Sequence, residues 1–404
     1  MTVFQSDTFE RLISDDRIEI TNPGPLHYPI QEFKVKRDGK LKIFAYTTAK
    51  HGASSNSIDY PSGTLRSLEE IQVYGSVFGG DVILKGVQPL KLSETTDPRT
   101  GTRILAETAY IHSVEITYKD NEEGCFLIEW LDNVEEEIFL WPDSAEELIN
   151  ESSSVILKGQ ECSIEIKSGK NGKSISRNCI YIKIDNIELF LMVYFKDDSS
   201  REVKSGAIVY KGVPSECQRK KIRNCLSFAL GRPLIYLGHN VYDSNWGIIY
   251  LAAVSAYTYE GAAFNINTMP PSPLGFKYKN EIDTEVFSKL VNALYFNYDI
   301  CSFDYISWAY WHAVTAPIHI AAVHFGAAIE ALQNSYLNYN RGKFSARIIE
   351  KSEWKKFKSK LVEVLRSAEI QENEREALEI KINNLNKFPQ WMATEKFFGY
   401  FLDI

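Results

Sequence analysis

The pattern of apolar and polar positions along the first two-thirds of the chain reads as strands. The stretch Ile71-Gln-Val-Tyr-Gly-Ser-Val-Phe78 alternates, meets Gly79-Gly80-Asp81 and resumes as Val82-Ile-Leu84. Two period-two runs around a glycine turn predict a β-hairpin, because successive strand side chains face opposite sides. Further strands are predicted at Leu41–Tyr46, Ala109–Tyr118, Cys125–Leu131, Val155–Lys167, Cys179–Asp185, Glu188–Phe195 and Gly206–Tyr210. Polar Gly/Asn/Asp clusters separate them, the spacing of a sandwich or a twisted antiparallel sheet. One cluster, Gly169-Lys-Asn-Gly-Lys173, has part of a phosphate-loop pattern. That motif needs a glycine where Lys167 stands and a helix after it. With strand-like text around it, the cluster is read as a solvated hairpin turn.

The period then lengthens. Pro214-Ser215 precedes a helix, Ser215 and Gln218 have capping-box spacing, and Leu226 and Leu230 continue the apolar face. Gly231 sits at the expected stop, with Pro233 beyond. Strand-like text returns at Leu234–Leu237 and Gly247–Val254, and Met269-Pro-Pro-Ser-Pro-Leu-Gly275 breaks all periodicity. Helices are predicted at Thr284–Tyr295, Asp304–Thr315, Ile318–Leu337, Ser352–Ala368, Glu372–Asn386 and Thr394–Phe401. Trp354, Phe357, Leu361, Val364 and Leu365 fall at helical spacing and are expected to form core. The predicted fold class is α+β: a β-rich N-terminal region over 1–270, with a helix near 215–230, then an α-helical bundle over 281–404.

Composition agrees with a folded chain large enough for two domains: 404 residues, 44% apolar and 24% charged. The net charge of −8 excludes a generally basic nucleic-acid coat, though not a local patch. Six dispersed cysteines form no C-x-x-C and no zinc spacing, which suits a reducing cytoplasm. The N-terminus lacks the layout of a signal peptide. The most membrane-like stretch, Ala309–Leu332, contains His312, Pro317, His319, His324 and Glu330, so it is read as two buried helices broken at Pro317. No carboxylate completes a metal set with those histidines, so no metal and no cofactor are expected and the imidazoles are read as core. No G-x-G-x-x-G, H-E-x-x-H or G-x-S-x-G occurs.

The clearest charge feature is 341–360, whose eight basic and two acidic residues give +6 on a chain of net −8. Lys351, Lys355, Lys356, Lys358 and Lys360 are candidates for contact with a nucleic-acid backbone. The alternative is a solvated face opposite the Trp354 stripe. Arg219-Lys-Lys221 and Arg223 on the earlier helix carry the same ambiguity. The C-terminal segment holds Phe397, Phe398 and Phe401 among few charges. It either docks on its own bundle or covers a seam completed by another copy or a second chain.

The order of these features resembles ApeA-like bacterial anti-phage proteins. The resemblance rests on Gly75-Ser-Val-Phe-Gly-Gly-Asp-Val-Ile-Leu84, on Cys225-Leu-Ser-Phe-Ala-Leu-Gly-Arg-Pro-Leu234, and on Pro317-Ile-His-Ile-Ala-Ala-Val-His-Phe-Gly-Ala-Ala-Ile-Glu-Ala-Leu332. It spans roughly residues 40 to 404. It implies a β-rich domain joined to a C-terminal HEPN domain, which in the family is a metal-independent, dimeric ribonuclease. There an Arg-Asn-x-x-x-His segment on the last helix carries the chemistry, and Glu330 would match a frequent acidic residue. This chain has no histidine after His324, so it lacks that segment. The catalytic helix is then truncated away, supplied by another polypeptide, or lost with activity. Arg232 and His239 have a loosely similar spacing, but strand-like Pro233–Gly238 lies between them. The expected function is an RNA-directed, abortive-infection-type defence component in the cytoplasm. The alternative is a non-catalytic binding or sensor protein acting through protein contacts.

Overall fold

The computed structural model describes residues 8–13, 17–55, 67, 71–96, 101, 103–118, 123–134, 141–148, 153–159, 162–168, 174–193, 205–256, 273–274, 282–339, 347–386, 392, 394–395 and 397–399. The chain divides into two compact units, Met1–Tyr295 and Phe296–Ile404. The predicted break at 269–275 lies almost wholly outside the described residues, as does the turn at 169–173.

The architecture is α+β. The first unit opens with helix α1 (Thr8–Leu12) and carries seventeen described strands: β1 (Ile18–Asn22), β2 (His27–Arg37), β3 (Ile43–Ser55), β4 (Gln72–Val77), β5 (Gly80–Lys85), β6 (Gln88–Thr96), β7 (Arg103–Ile111), β8 (Ser113–Tyr118), β9 (Phe126–Asp132), β10 (Asp143–Leu148), β11 (Ser153–Lys158), β12 (Ser163–Ser168), β13 (Ser174–Ile184), β14 (Ile187–Val193), β15 (Ser205–Lys211), β16 (Ile235–Tyr242) and β17 (Ile248–Val254). A thirteen-stranded antiparallel sheet runs β1-β4-β5-β8-β17-β16-β9-β15-β14-β13-β10-β11-β12, and a four-stranded sheet runs β2-β3-β7-β6.

Two predicted strands prove to be four. Ala109–Tyr118 turns a corner at His112, so β7 lies in the small sheet and β8 in the large one. The side chains of Ile111, Val114 and Ile116 are all buried, and the three-residue step from 111 to 114 reverses the strand's inward parity. Val155–Lys167 is a hairpin, β11 paired with β12, with Gly159 donating to the Cys162 carbonyl at 2.9 Å. Phe33, Val35, Ile43, Ala109 and Ile111 of the small sheet share one core with Val73, Val82, Leu84, Val114, Ile116 and Leu251 of the large sheet.

Helix α2 (Glu216–Leu230) has the cap read from sequence: Ser215 Oγ accepts from Gln218 N, the Gln218 side chain answers, and Gly231 closes the helix at φ 70°. Arg219 and Arg223, one turn apart on α2, both reach Glu129 of β9, so this side of α2 lies over that face of the sheet. The other face of β9, Ile128 and Trp130, packs with Phe190, Met192 and Val209. Both faces of β9 are therefore covered, and its five central residues are all buried.

Helix α3 (Thr284–Phe296) belongs almost entirely to the first unit. The second unit contains α4 (Phe303–Thr315), α5 (Ile318–Tyr339), α6 (Lys351–Ser367) and α7 (Glu372–Asn384). Two expectations fail here. The Trp354 stripe is not core: of its members only Leu365 is buried, whereas Phe357 is 49% and Val364 67% exposed. The helices on either side of Pro317 are not both buried, since Ile318 is 90% and Val323 68% exposed on α5. Helical spacing gathers apolar residues on one side but does not supply a partner for that side. Among the described residues, α4 packs along one side of α5, through Trp308 against His324 and Tyr310 against Phe325.

Candidate functional site

A buried group of ionisable side chains lies between α2 and the centre of the large sheet. It begins with a carboxylate where the sequence calls for an apolar side chain. Glu129 stands in Phe126-Leu-Ile-Glu-Trp-Leu131 and is fully buried. A buried carboxylate is costly unless paired and hydrogen-bonded. Arg223 Nη1 lies 2.5 Å and Arg219 Nη1 3.0 Å from Glu129 Oε1, and Tyr210 donates its hydroxyl to Oε2 at 3.1 Å. The outer side of both guanidiniums is held by Glu216, which pairs with Arg219 Nη2 and, at 3.1 Å, with Arg223 Nη2.

A bulge in β16 adds an aromatic floor. Tyr236 pairs with Leu131 and Gly238 with Trp130, so Leu237 is the extra residue. Residues 236 and 239 would otherwise point to opposite faces. The bulge puts them on one, and Tyr236 Oη lies 2.6 Å from His239 Nδ1. His239 sits opposite Glu129, and Ala252 of β17 bridges it in register to Glu115 of β8. The guanidinium carbon of Arg223 lies 4.3 Å above the Tyr236 ring, and Tyr250 packs 5.4 Å from His239.

The electrostatics suit binding better than proton transfer. Burial, and then the charges of Arg219 and Arg223, hold the His239 imidazole down at about 3. Burial raises the Tyr236 phenol, and burial followed by Glu115 pushes Tyr250 up to about 12. Tyr236 therefore keeps its proton and is assigned as the donor to Nδ1, which puts the imidazole hydrogen on Nε2. Burial pushes the Glu129 carboxyl up, and Arg223 and Arg219 pull it back. Hydrogen bonds from two fixed cations favour its charged form. A general base working near neutrality needs a value near 7, and His239 is far below it. Cys179 and Cys225 are pushed up to about 12 by burial, so both stay thiols rather than nucleophilic thiolates.

The depressed His239 value has a measurable consequence. The imidazole is neutral in the folded state, whereas the ordinary histidine value is 6.5. Its contribution to stability is full above pH 6.5 and is lost as the pH falls from there toward 3. The limiting slope is about 1.4 kcal/mol per pH unit. Urea denaturation at several pH values should show that slope in the native chain and a flatter profile in His239→Gln. Parallel profiles for the two proteins would refute it.

The sequence-derived candidates distribute as follows. Arg232 is buried just beyond the α2 cap, where its N–H donates to the Ser227 carbonyl at 2.9 Å. His239 lies on β16, and the guanidiniums acting on it are those of Arg219 and Arg223. Glu330 is exposed on α5. Lys351, Lys355, Lys356 and Lys360 are exposed on α6, and Lys358 is half-buried. Phe397 is buried against Tyr336, with ring centroids 5.7 Å apart, and Phe398 is 36% exposed. Phe401 lies outside the described residues. Sequence reasoning missed Glu129. Its signal was present: one acid inside an unbroken apolar strand, and two arginines one helical turn apart to answer it. No family model, curated protein or solved structure matches this chain.

Proposed function

We propose that the chain is an RNA-directed component of an anti-phage system, with a HEPN-like helical unit, and that it acts by binding rather than by cleaving. The observation that carries this reading is the lysine surface of α6. Lys351, Lys355, Lys356 and Lys360 project into solvent, and among the described residues none of them pairs with a carboxylate. Lys355, Lys356 and Lys360 lie off the side of the helix that carries Trp354, Leu361 and Leu365. A phosphate backbone met by such a row releases its condensed cations. The imidazoles support a reading without cleavage: none occurs after His324, and burial with the charges of Arg219 and Arg223 holds His239 near 3.

The test is binding of tRNA or total RNA as a function of salt. Replacing Lys355, Lys356, Lys358 and Lys360 with Gln should weaken binding. It should also flatten the plot of log affinity against log salt by up to about 0.7 for each lost phosphate contact. RNA incubated with the purified chain in EDTA should remain intact. An unchanged slope, or cleavage lost in His239→Ala, would overturn the reading.

One observation favours the alternative of a sensor acting through protein contacts. Ile318, Val323 and Ile329 are each exposed on α5, and exposed apolar surface marks association sites. A chain without RNA affinity that self-associates or captures a partner, and loses this with Val323→Glu, would support that reading instead. Among the described residues no helix is long and apolar enough to cross a membrane.

A further inference from the structure

We propose that the β-rich unit carries an oxyanion site at the flank of α2, where Arg219 and Arg223 hold a phosphate group in the position now taken by the Glu216 carboxylate. The site differs from the α6 lysine row and does not depend on the RNA reading.

Three charges form its buried part. The Glu129 side chain is fully buried, and those of Arg219 and Arg223 are 6% and 10% exposed. One carboxylate against two guanidiniums leaves a charge of +1 out of water. A chain built only to anchor α2 would balance that charge with a second buried acid. Here it is balanced by Glu216, the first residue of α2, whose side chain is 58% exposed. Ion pairs open to solvent contribute little, so an incoming anion displaces this carboxylate at small cost.

The guanidiniums are fixed and still have donor capacity. Glu129 holds their inner nitrogens, and the Tyr236 ring lies under Arg223. Their Nη2 atoms both face Glu216, which shows that two oxygens of a single anion can bridge them. Among the described residues, Arg219 Nε is buried with no hydrogen-bond partner, a third N–H available to a tetrahedral anion. A carboxylate offers two oxygens, whereas a phosphate offers three or four and a second charge. Paired guanidinium forks suit that geometry. The same two cations depress His239, so neutralising them with a dianion also relieves the imidazole.

The probes are inorganic phosphate and a phosphate monoester, phenyl phosphate, titrated calorimetrically into the full chain against chloride of matched ionic strength. To remove any contribution from α6, the titration is repeated on the four-lysine Gln variant. Saturable binding is expected in both proteins. Glu216→Gln should tighten it by about tenfold, because the competing charge is gone. Arg219→Lys and Arg223→Lys keep the charge but lose the fork, and should weaken it by about tenfold or more. Tighter binding of the monoester would assign the site to a phosphorylated molecule, and tighter binding of inorganic phosphate to the free ion; both support the site. Absence of saturable binding in the native chain and in Glu216→Gln would overturn it. So would binding that disappears with the α6 lysines. If an Arg→Lys variant fails to fold, the Glu216→Gln comparison still decides.

Discussion

Glu129→Ala is expected to destabilise the β-rich unit by about 3–5 kcal/mol, the range for removing one member of a buried charge set. Arg219 and Arg223 stay on α2 beneath the same cover, with their inner nitrogens facing a void. Glu216 cannot follow them inward, because the Ser215 and Gln218 capping box fixes the start of the helix. Tyr210 also loses the Glu129 oxygen that accepts from its hydroxyl, so a second buried polar atom is orphaned. Urea denaturation followed by near-ultraviolet circular dichroism should show a large fall in midpoint. Replacing Glu129, Arg219 and Arg223 together with Leu, Met and Met should recover much of it, since an apolar set needs no pairing. A loss below about 1 kcal/mol for Glu129→Ala would mean that water reaches the guanidiniums. The triple variant also separates stability from binding, because it should fold and bind no phosphate.

Strands β4 and β5 are legible because their apolar residues recur at every second position, and β14, β15 and β17 because each is a short, nearly unbroken apolar run. The cap of α2 was legible for a local reason: Ser215, Gln218 and Gly231 act within one turn of the helix ends. Where the reading failed, the decisive contact was distant in sequence. The corner at His112 was visible only as a change of parity between Ile111 and Val114. Strands β2 and β6 carry many polar residues, because they lie in a small sheet with one face open to solvent. The Trp354 stripe has the spacing of core, yet Phe357 and Val364 face solvent. The site is the sharpest case. Arg219 and Arg223 are visible in the sequence only as a basic group, and His239 only through its spacing from Arg232. The carboxylate that organises the arginines is 90 and 94 residues from them.

Gly238→Ala is expected to cost about 3 kcal/mol or more, and to remove the site along with the stability. Gly238 has φ 143°, a conformation closed to residues with a Cβ. The added carbon would stand 2.1 Å from the Ala252 carbonyl oxygen and 2.8 Å from Ala253 Cα, both backbone atoms of the neighbouring strand β17. No rotamer change relieves a collision with backbone, so β16 must move. It is held on the other side as well: Arg37 of β2 donates to the carbonyls of Leu237 at 3.0 Å, Val254 at 2.7 Å and Leu41 at 3.0 Å. The carbonyl of the bulged residue is thus bound by a buried guanidinium, and the register of β16 has two independent locks. A strand forced out of that register separates Tyr236 from His239. Gly79→Ala is the control, since Gly79 also has a positive φ, 78°, but nothing lies within 4 Å of the added carbon. It should cost only about 1–2 kcal/mol, the conformational share alone. Denaturation midpoints of both variants, and the pH dependence attributed to His239, are the measurements. Equal losses for the two glycines would show that β17 yields to the added methyl, and a surviving His239 pH dependence in Gly238→Ala would show that the bulge is not what places the imidazole.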